Sequence, residues 1–253
     1  MCSDQRNDPP LSVVGRIAAI LGAIEEAPGS VGISELAAAT GLAKGSVHRL
    51  VGQLLEERLV ERTADARLTL GVRLFELGSS VPLPRTLAQA ARPLMLDLHQ
   101  ATDRQVHLAV LDGVEVVYIE IVYGGLPLAS SVGGRLPAHA TGVGKALLAY
   151  SPQAVVAERV EAGLDPMTPR TISTPAGLTR ALQDIRTVGT SYDHEESHLG
   201  ISCVAAPVYG ADKKIRAALS VTGQTPRMDL PRLGVAVRTA AFTLSRQLRD
   251  AGL

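Results

Sequence analysis

Between Ile33 and Leu59 the apolar positions keep a helical period twice, with a break at Gly41-Leu42. In ISELAAATGLAKGSVHRLVGQLLEERL the second run sets Val47, Leu50, Val51, Leu54 and Leu55 three and four residues apart, on one face. This predicts two helices joined by a sharp turn at Gly41, the first capped by Ser34 with Glu35 in its opening turn. The outward positions of the second helix are Lys44, Gly45, Ser46, His48, Arg49 and Gln53. They are small, polar or cationic. Such a face suits an ordinary solvated hairpin of helices, or a helix entering a DNA major groove.

Upstream, residues 1–10 read as a flexible polar tail. Val13, Ile17, Ile20, Leu21 and Ile24 then form a helical stripe that starts near Ser12 and stops at Pro28-Gly29. Downstream, the period changes to alternation around Thr63-Ala64-Asp65-Ala66, which predicts a short hairpin carrying Arg62 and Arg67. Such a hairpin is either a wing that reaches phosphates or a cap that closes a small core. Residues 11–71 are therefore read as a winged helix-turn-helix domain.

A linker helix and linker are expected over 72–85, with a short helix at 72–78 and a proline-rich connection at 79–84. From residue 86 to 253 the chain mixes both periods. A helix is predicted from Thr86 to about Ala101, with a kink or late start at Pro93. Val106–Leu111 and Glu115–Val122 read as strands joined at Asp112-Gly113, and Leu126–Val132 as a weaker strand. His139–Tyr150 reads as a loop entering a helix, followed by helices at 152–162 and 175–188. Ile201–Tyr209 and Lys214–Thr222 read as strands, and Leu230 to Leu248 as a last helix packed on the sheet or on a partner subunit. Strands in two sets around a helical middle predict an α+β domain with one curved antiparallel sheet.

Composition narrows the function. Hydrophobic residues at 46% and charged residues at 20% describe an ordered chain. The formal net charge is +0, so attraction to nucleic acid must be local. Over 43–73, Lys44, Arg49, Arg58, Arg62, Arg67 and Arg73 face Glu56, Glu57, Glu61 and Asp65, an excess of two. That small surplus predicts salt-sensitive binding that relies on dimerisation. Aromatic residues at 3% and the absence of tryptophan argue against base stacking on single strands. Cys2 and Cys203 offer no disulfide framework, and the polar start MCSDQRNDPP is unlike a signal peptide. A cytoplasmic protein without a membrane segment is expected.

Candidate chemistry is sparse. Gly142-Val143-Gly144-Lys145 hints at a phosphate loop, but His139 stands where the first glycine is required and Ala146 replaces the metal-binding hydroxyl. The stretch can still present backbone amides to an anion at a helix start, or serve only as a tight turn. Asp193, His194, Glu195 and Glu196 form an acidic cluster that could cap amides or pair with Arg135 or Lys145. No metal-ligand spacing links His139, His194, Glu195 and Cys203, and Cys203 lacks a local histidine signature. An enzyme, a protein-binding adaptor and a DNA-binding regulator thus remain distinct readings. The first is disfavoured by the lack of a base–nucleophile pair, and no cofactor or metal is expected.

Three stretches carry a further signal: SVHRL at Ser46–Leu50, LPAHATGVGKALLA at Leu136–Ala149 and DHEESHLGISCVAAPVY at Asp193–Tyr209. With the order winged helix, linker helix and α+β domain, the chain resembles the IclR family of bacterial transcription regulators from Leu11 onward. The resemblance implies a GAF/PAS-like effector domain that binds a small metabolite, often a carboxylic or aromatic acid. It implies a homodimer or homotetramer whose winged domains pair across the N-terminal helix on operator DNA, commonly as a repressor. DNA contacts are expected at Lys44, Gly45, Ser46, His48, Arg49, Arg62 and Arg67. Effector contacts are expected at Gly142, Val143, Asp193, Cys203, Ser220 and Thr222. Two departures stand out: Ala43-Lys44-Gly45 replaces the Pro-Lys-Ser common at the start of the recognition helix, and the wing tip lacks glycine.

Overall fold

The computed structural model describes residues 12–125 and 130–253, which divide into two compact units at Val81/Pro82. The expected tail at 1–10 and the first four residues of the expected strand 126–132 lie outside the described residues. Among the described residues no helix is long and apolar enough to cross a membrane.

The first unit holds α1 (Val13–Glu26), α2 (Ile33–Thr40), α3 (Lys44–Glu56), β1 (Val60–Arg62), β2 (Leu68–Leu70) and α4 (Val72–Ser79). Ser12 caps α1 by accepting from Gly15 N at 3.0 Å. α2 starts earlier than Ser34. Gly32 is the cap residue, and Glu35 reaches back to accept from its N–H at 3.1 Å. Gly41 ends α2 at φ +67°, the left-handed conformation a helix-to-helix turn requires. Ile20, Ile24, Leu36, Val47, Leu50, Val51 and Leu54 meet in one core, closed below by Val31, Val60 and Leu68. Val13, read as part of the buried stripe of α1, is 53% exposed, and the neighbouring Val14 is 75% exposed. The stripe buries only from its second turn, because the core it serves ends there.

The second unit begins with α5 (Pro82–Thr102), which starts before the expected residue 86. Pro82 and Pro84 occupy its first turn, where the absent N–H would have no intrahelical partner, so they open the helix instead of forming a linker. The helix continues through Pro93, whose position faces solvent. Six strands follow: β3 (Gln105–Asp112), β4 (Glu115–Val122), β5 (Arg135–Pro137), β6 (Ser191–His194), β7 (Ile201–Tyr209) and β8 (Ile215–Gln224). They form one antiparallel sheet in the order β5-β4-β3-β8-β7-β6, curled and bulged at Leu108/Ala109 and Val208/Tyr209. Ser130–Val132 form no strand, although Gly133 N donates to Tyr118 O beside β4.

Helices α6 (Gly142–Ala149), α7 (Gln153–Glu161) and α8 (Pro175–Val188) lie in the chain between β5 and β6, and α9 (Leu230–Asp250) ends it. α5 and α9 cover one face of the sheet through Leu87, Met95, Leu98, Val237, Leu244 and Leu248. The last helix therefore packs on its own sheet. α6 and α8 cover the other face, where Ala109, Ala205 and Ala218 are small enough to admit α6 closely.

Candidate functional site

In the first unit, α3 buries Val47, Leu50, Val51 and Leu54, and so turns Lys44, Gly45, His48, Arg49 and Gln53 to solvent, with Ser46 half-buried. Among the described residues, Lys44, His48 and Arg49 make no side-chain hydrogen bond or ion pair within the chain, leaving their polar groups available. A Cβ added at Gly45 would meet no atom within 4 Å, so the backbone there is open to close approach. On the hairpin, Arg62 is exposed and donates to Ala66 O at 3.2 Å across the turn.

Arg67, also expected at the DNA face, is engaged within the chain. Its guanidinium donates to Ser30 Oγ at 3.1 Å, to Ser30 O at 2.9 Å and to both carboxylate oxygens of Glu35. A planar fork with its donors committed to a carboxylate and a carbonyl braces the hairpin against the start of α2. The same pairing holds the Glu35 carboxyl below its usual range.

In the second unit, the six residues expected from the sequence to contact an effector line one cavity of about 210 Å³. Gly142 and Val143 come from the start of α6, Asp193 from β6, Cys203 from β7, and Ser220 and Thr222 from β8. Register explains the convergence. Asp193 pairs with Cys203, Cys203 with Thr222, and Ser220 with His107, so their side chains share the α6 face of the sheet. Thr141 caps α6 by accepting from Gly144 N at 3.0 Å, which leaves the Gly142 and Val143 amides unpaired within the helix. Gly144 is required for packing: a Cβ there would lie 2.1 Å from Ala138 O. The structural role and the amide-presenting role thus fall on neighbouring glycines.

The walls are built by buried polar groups. Asp193 accepts from Glu196 N at 2.7 Å through Oδ1 and from Ser197 Oγ at 3.0 Å through Oδ2. Burial nevertheless pushes its pKa up to about 6. Burial, helped by the neighbouring Asp193 carboxylate, pushes the Cys203 thiol up to about 12, so it stays protonated at neutral pH and is no nucleophile there. The acidic cluster divides its partners. Glu196 forms a buried ion pair with Lys145, whose Nζ also donates to Tyr192 O at 2.8 Å. Glu195 lies 3.6 Å from Arg170, and Arg135 is taken by Asp112 and Glu115 instead. Thr168 and Thr171 donate to the carbonyls of Glu195 and Glu196, pinning the loop that edges the cavity. His139, weighed as a metal ligand, instead packs its Nε2 3.1 Å from Asp165 O.

Sequence reasoning missed several lining residues: His107, Tyr118, Ser130, Met167, Ser197, His198 and Ile201 among them. Burial lowers the pKa of His107 to about 4, keeping its imidazole neutral, and raises that of Tyr118. The period-two alternation of Gln105, His107 and Ala109 against Val106 and Leu108 was the available signal. Their common face becomes meaningful only once β8 is known to lie beside β3.

Comparison with known proteins adds a consistent picture. A family model described as "Bacterial transcriptional regulator IclR C-terminal" matches residues 84–246, and one described as "IclR helix-turn-helix domain" matches residues 13–64. The chain is 32% identical over 247 residues to the HTH-type transcriptional regulator XynR of Escherichia coli, covering 95% of this chain and 98% of that protein. It is 32% identical over 211 residues to the transcriptional repressor IclR of E. coli, covering 81% and 77% respectively. Among solved structures, an IclR homolog from Microbacterium hydrocarbonoxydans complexed with 4-hydroxybenzoate superposes with a TM-score of 0.87 at 26% identity. That match covers 94% of this chain and 100% of the other.

Proposed function

This chain belongs to the IclR family of DNA-binding transcription regulators, and from that premise we propose that it is a repressor released or retained on its operator by a small organic or aromatic acid. The observation that carries the acid is the convergence of residues from α6, β6, β7 and β8 on one cavity whose edge is a helix start with unpaired amides. Helix N-termini favour anions through those amides and the aligned peptide dipoles. The 4-hydroxybenzoate held by the Microbacterium relative supports the same class of ligand.

DNA is contacted by Lys44, Gly45, Ser46, His48 and Arg49 at the start of α3, with Arg49 and His48 reading bases and Arg62 touching phosphate. The protein works as a homodimer or homotetramer in the cytoplasm. The exposed Val13, Val14 and Phe75 of the first unit supply apolar surface for pairing between copies. The acid acts by binding one arrangement of the paired domains more tightly than another.

Fluorescence anisotropy tests this with the gene's own upstream DNA and scrambled DNA, at several salt concentrations, with a panel of organic acids added. Preference for the upstream DNA, altered by one acid, is expected. Salt-independent or absent binding at low salt would overturn the reading.

A further inference from the structure

On β3, apart from the start of α6, the cavity is lined by His107, which joins Ser130, Thr222 and the buried Gln105 in a polar cluster. His107, 3% exposed, lines the cavity from β3, and its ring lies 5.2 Å from that of Tyr118. The Gln105 amide nitrogen lies 3.1 Å from His107 Nε2 and the Ser130 hydroxyl 3.2 Å from the same atom, while Thr222 Oγ1 lies 3.2 Å from Nδ1. A donor amide at Nε2 assigns the ring proton to Nδ1, which donates to Thr222. Nε2 then has one lone pair for two neighbours, so with the amide bonded to it the Ser130 hydroxyl, which can both donate and accept, is free to turn into the cavity. Gln105 Oε1, buried on the same face, has no hydrogen-bond partner among the described residues. A half-buried hydroxyl beside a neutral imidazole, both facing a cavity, can complete its hydrogen bonds with a polar group of a ligand.

Charge narrows what that is. His107 is neutral, Arg135 is committed to Asp112 and Glu115, and Lys145 is committed to Glu196, so this end offers no cation to a second carboxylate. Position narrows it further. A Cβ on Gly142 would touch Cys203 on β7, whereas His107 sits on β3 with β8 between them. Two strand spacings are about 10 Å, more than a two- or three-carbon acid can bridge.

We propose that His107 and Ser130, with Gln105 bonded behind the imidazole, form a second recognition point that reads a hydroxyl group at the end of the effector remote from its carboxylate. The effector class is then a hydroxylated monocarboxylic acid with a ring or a chain of about six carbons between its two polar ends. This rests on the reading of the cavity as an acid site, with the carboxylate at the start of α6. Met167, Ile201 and Leu136 supply apolar wall for the intervening body.

Calorimetric titration of the full-length protein tests it with two matched sets: benzoate, 4-hydroxybenzoate and terephthalate, and hexanoate, 6-hydroxyhexanoate and adipate. In at least one set the hydroxy acid is expected to bind about tenfold more tightly than its parent and than the diacid, the worth of one well-formed hydrogen bond. In His107→Phe and Ser130→Ala that ratio is expected to fall to about one. Ser130 lies outside the strands, so its variant decides the matter even where the phenylalanine disturbs folding. A ratio near one in the wild type, a preference for the diacid, or a ratio unchanged in Ser130→Ala overturns the proposal while leaving the acid site standing. No binding by any of the six at millimolar concentration overturns the acid site and the proposal together.

Discussion

Arg67 and Glu35, thirty-two positions apart, are joined by two parallel N–H···O bonds of 3.2 and 2.7 Å. The pair ties the residue just before β2 to the first turn of α2, and Glu35 closes the circuit by accepting from Gly32 N. The turn holds Ala66 at φ +60°, and the brace, with the backbone pairing of Val31 and Leu68, fixes the hairpin from outside that turn. The brace leaves Arg62 free of any carboxylate among the described residues and holds the partly exposed Arg67 on Glu35.

The two arginines of the hairpin should therefore behave differently on DNA. Arg62→Ala is expected to lower the slope of log affinity against log salt by about one, as loss of one phosphate contact does. Arg67→Ala should leave that slope unchanged while lowering the melting temperature of the protein. Anisotropy titrations at four salt concentrations, beside thermal unfolding, separate the two. An Arg67→Ala slope reduced like that of Arg62→Ala would return Arg67 to the DNA face.

Lys145 and Glu196 are the buried ion pair of the second unit, with side chains 3% and 7% exposed. Removing one charge strands the other in a low-dielectric site, where the cost exceeds the net worth of the pair. Lys145→Met is expected to destabilise the protein by about 3–5 kcal/mol in denaturant unfolding. Lys145→Met with Glu196→Leu should recover more than half of that loss. An equal or larger loss in the double variant would mean that the hydrogen bond from Lys145 to Tyr192 O, not the ion pair, holds the loop.

What was legible in the chain follows from where its information is local. The two helices around Gly41 could be read because both their period and their turn lie within one window. The Asp112-Gly113 hairpin could be read from its dipeptide. β5 and β6 could not, being edge strands of three and four residues whose pairing is set by β4 and β7. Pro82 and Pro84 misled, since proline is a breaker inside a helix and an opener at its start. The cavity divides along the same line. Gly142, Asp193 and Cys203 lie in contiguous motifs, whereas His107 sits alone in an apolar strand and acquires neighbours through register with β8.

Gly142 and Cys203 should be energetically coupled. A Cβ at Gly142 would lie 2.9 Å from Cys203 Sγ and 3.5 Å from Asp193 Cβ, at the mouth of the amide-lined end. Gly142→Ala is expected to weaken acid binding about tenfold or more, by displacing the thiol into the space of the ligand's carboxylate. Adding Cys203→Ala removes the obstructing sulfur and should restore part of the affinity. Calorimetry on the four members of this double-mutant cycle gives the coupling directly. Strict additivity of the two losses would show that the α6 terminus and Cys203 act on separate ligand groups.

Asp193 makes the cavity sensitive to pH. Its folded pKa of about 6 stands above the ordinary 3.8, because burial penalises the ionised form. The sign follows from linkage: the ionised carboxylate costs stability, and that cost is absent below about pH 4 and complete above about pH 6. A bound anionic acid adds a second negative charge, so binding should favour the protonated form. Acid affinity is expected to be nearly constant between pH 4.5 and 5.5 and to fall as pH rises from 6 to 8, by up to about tenfold per unit. His107 and Cys203 do not share this window. His107 has already lost its proton, with its pKa near 4, and Cys203 retains its own, near 12. Asp193→Asn should therefore flatten the profile from the low-pH side, binding at pH 8 nearly as tightly as at pH 5. An unchanged slope in Asp193→Asn would assign the titration to a group other than Asp193.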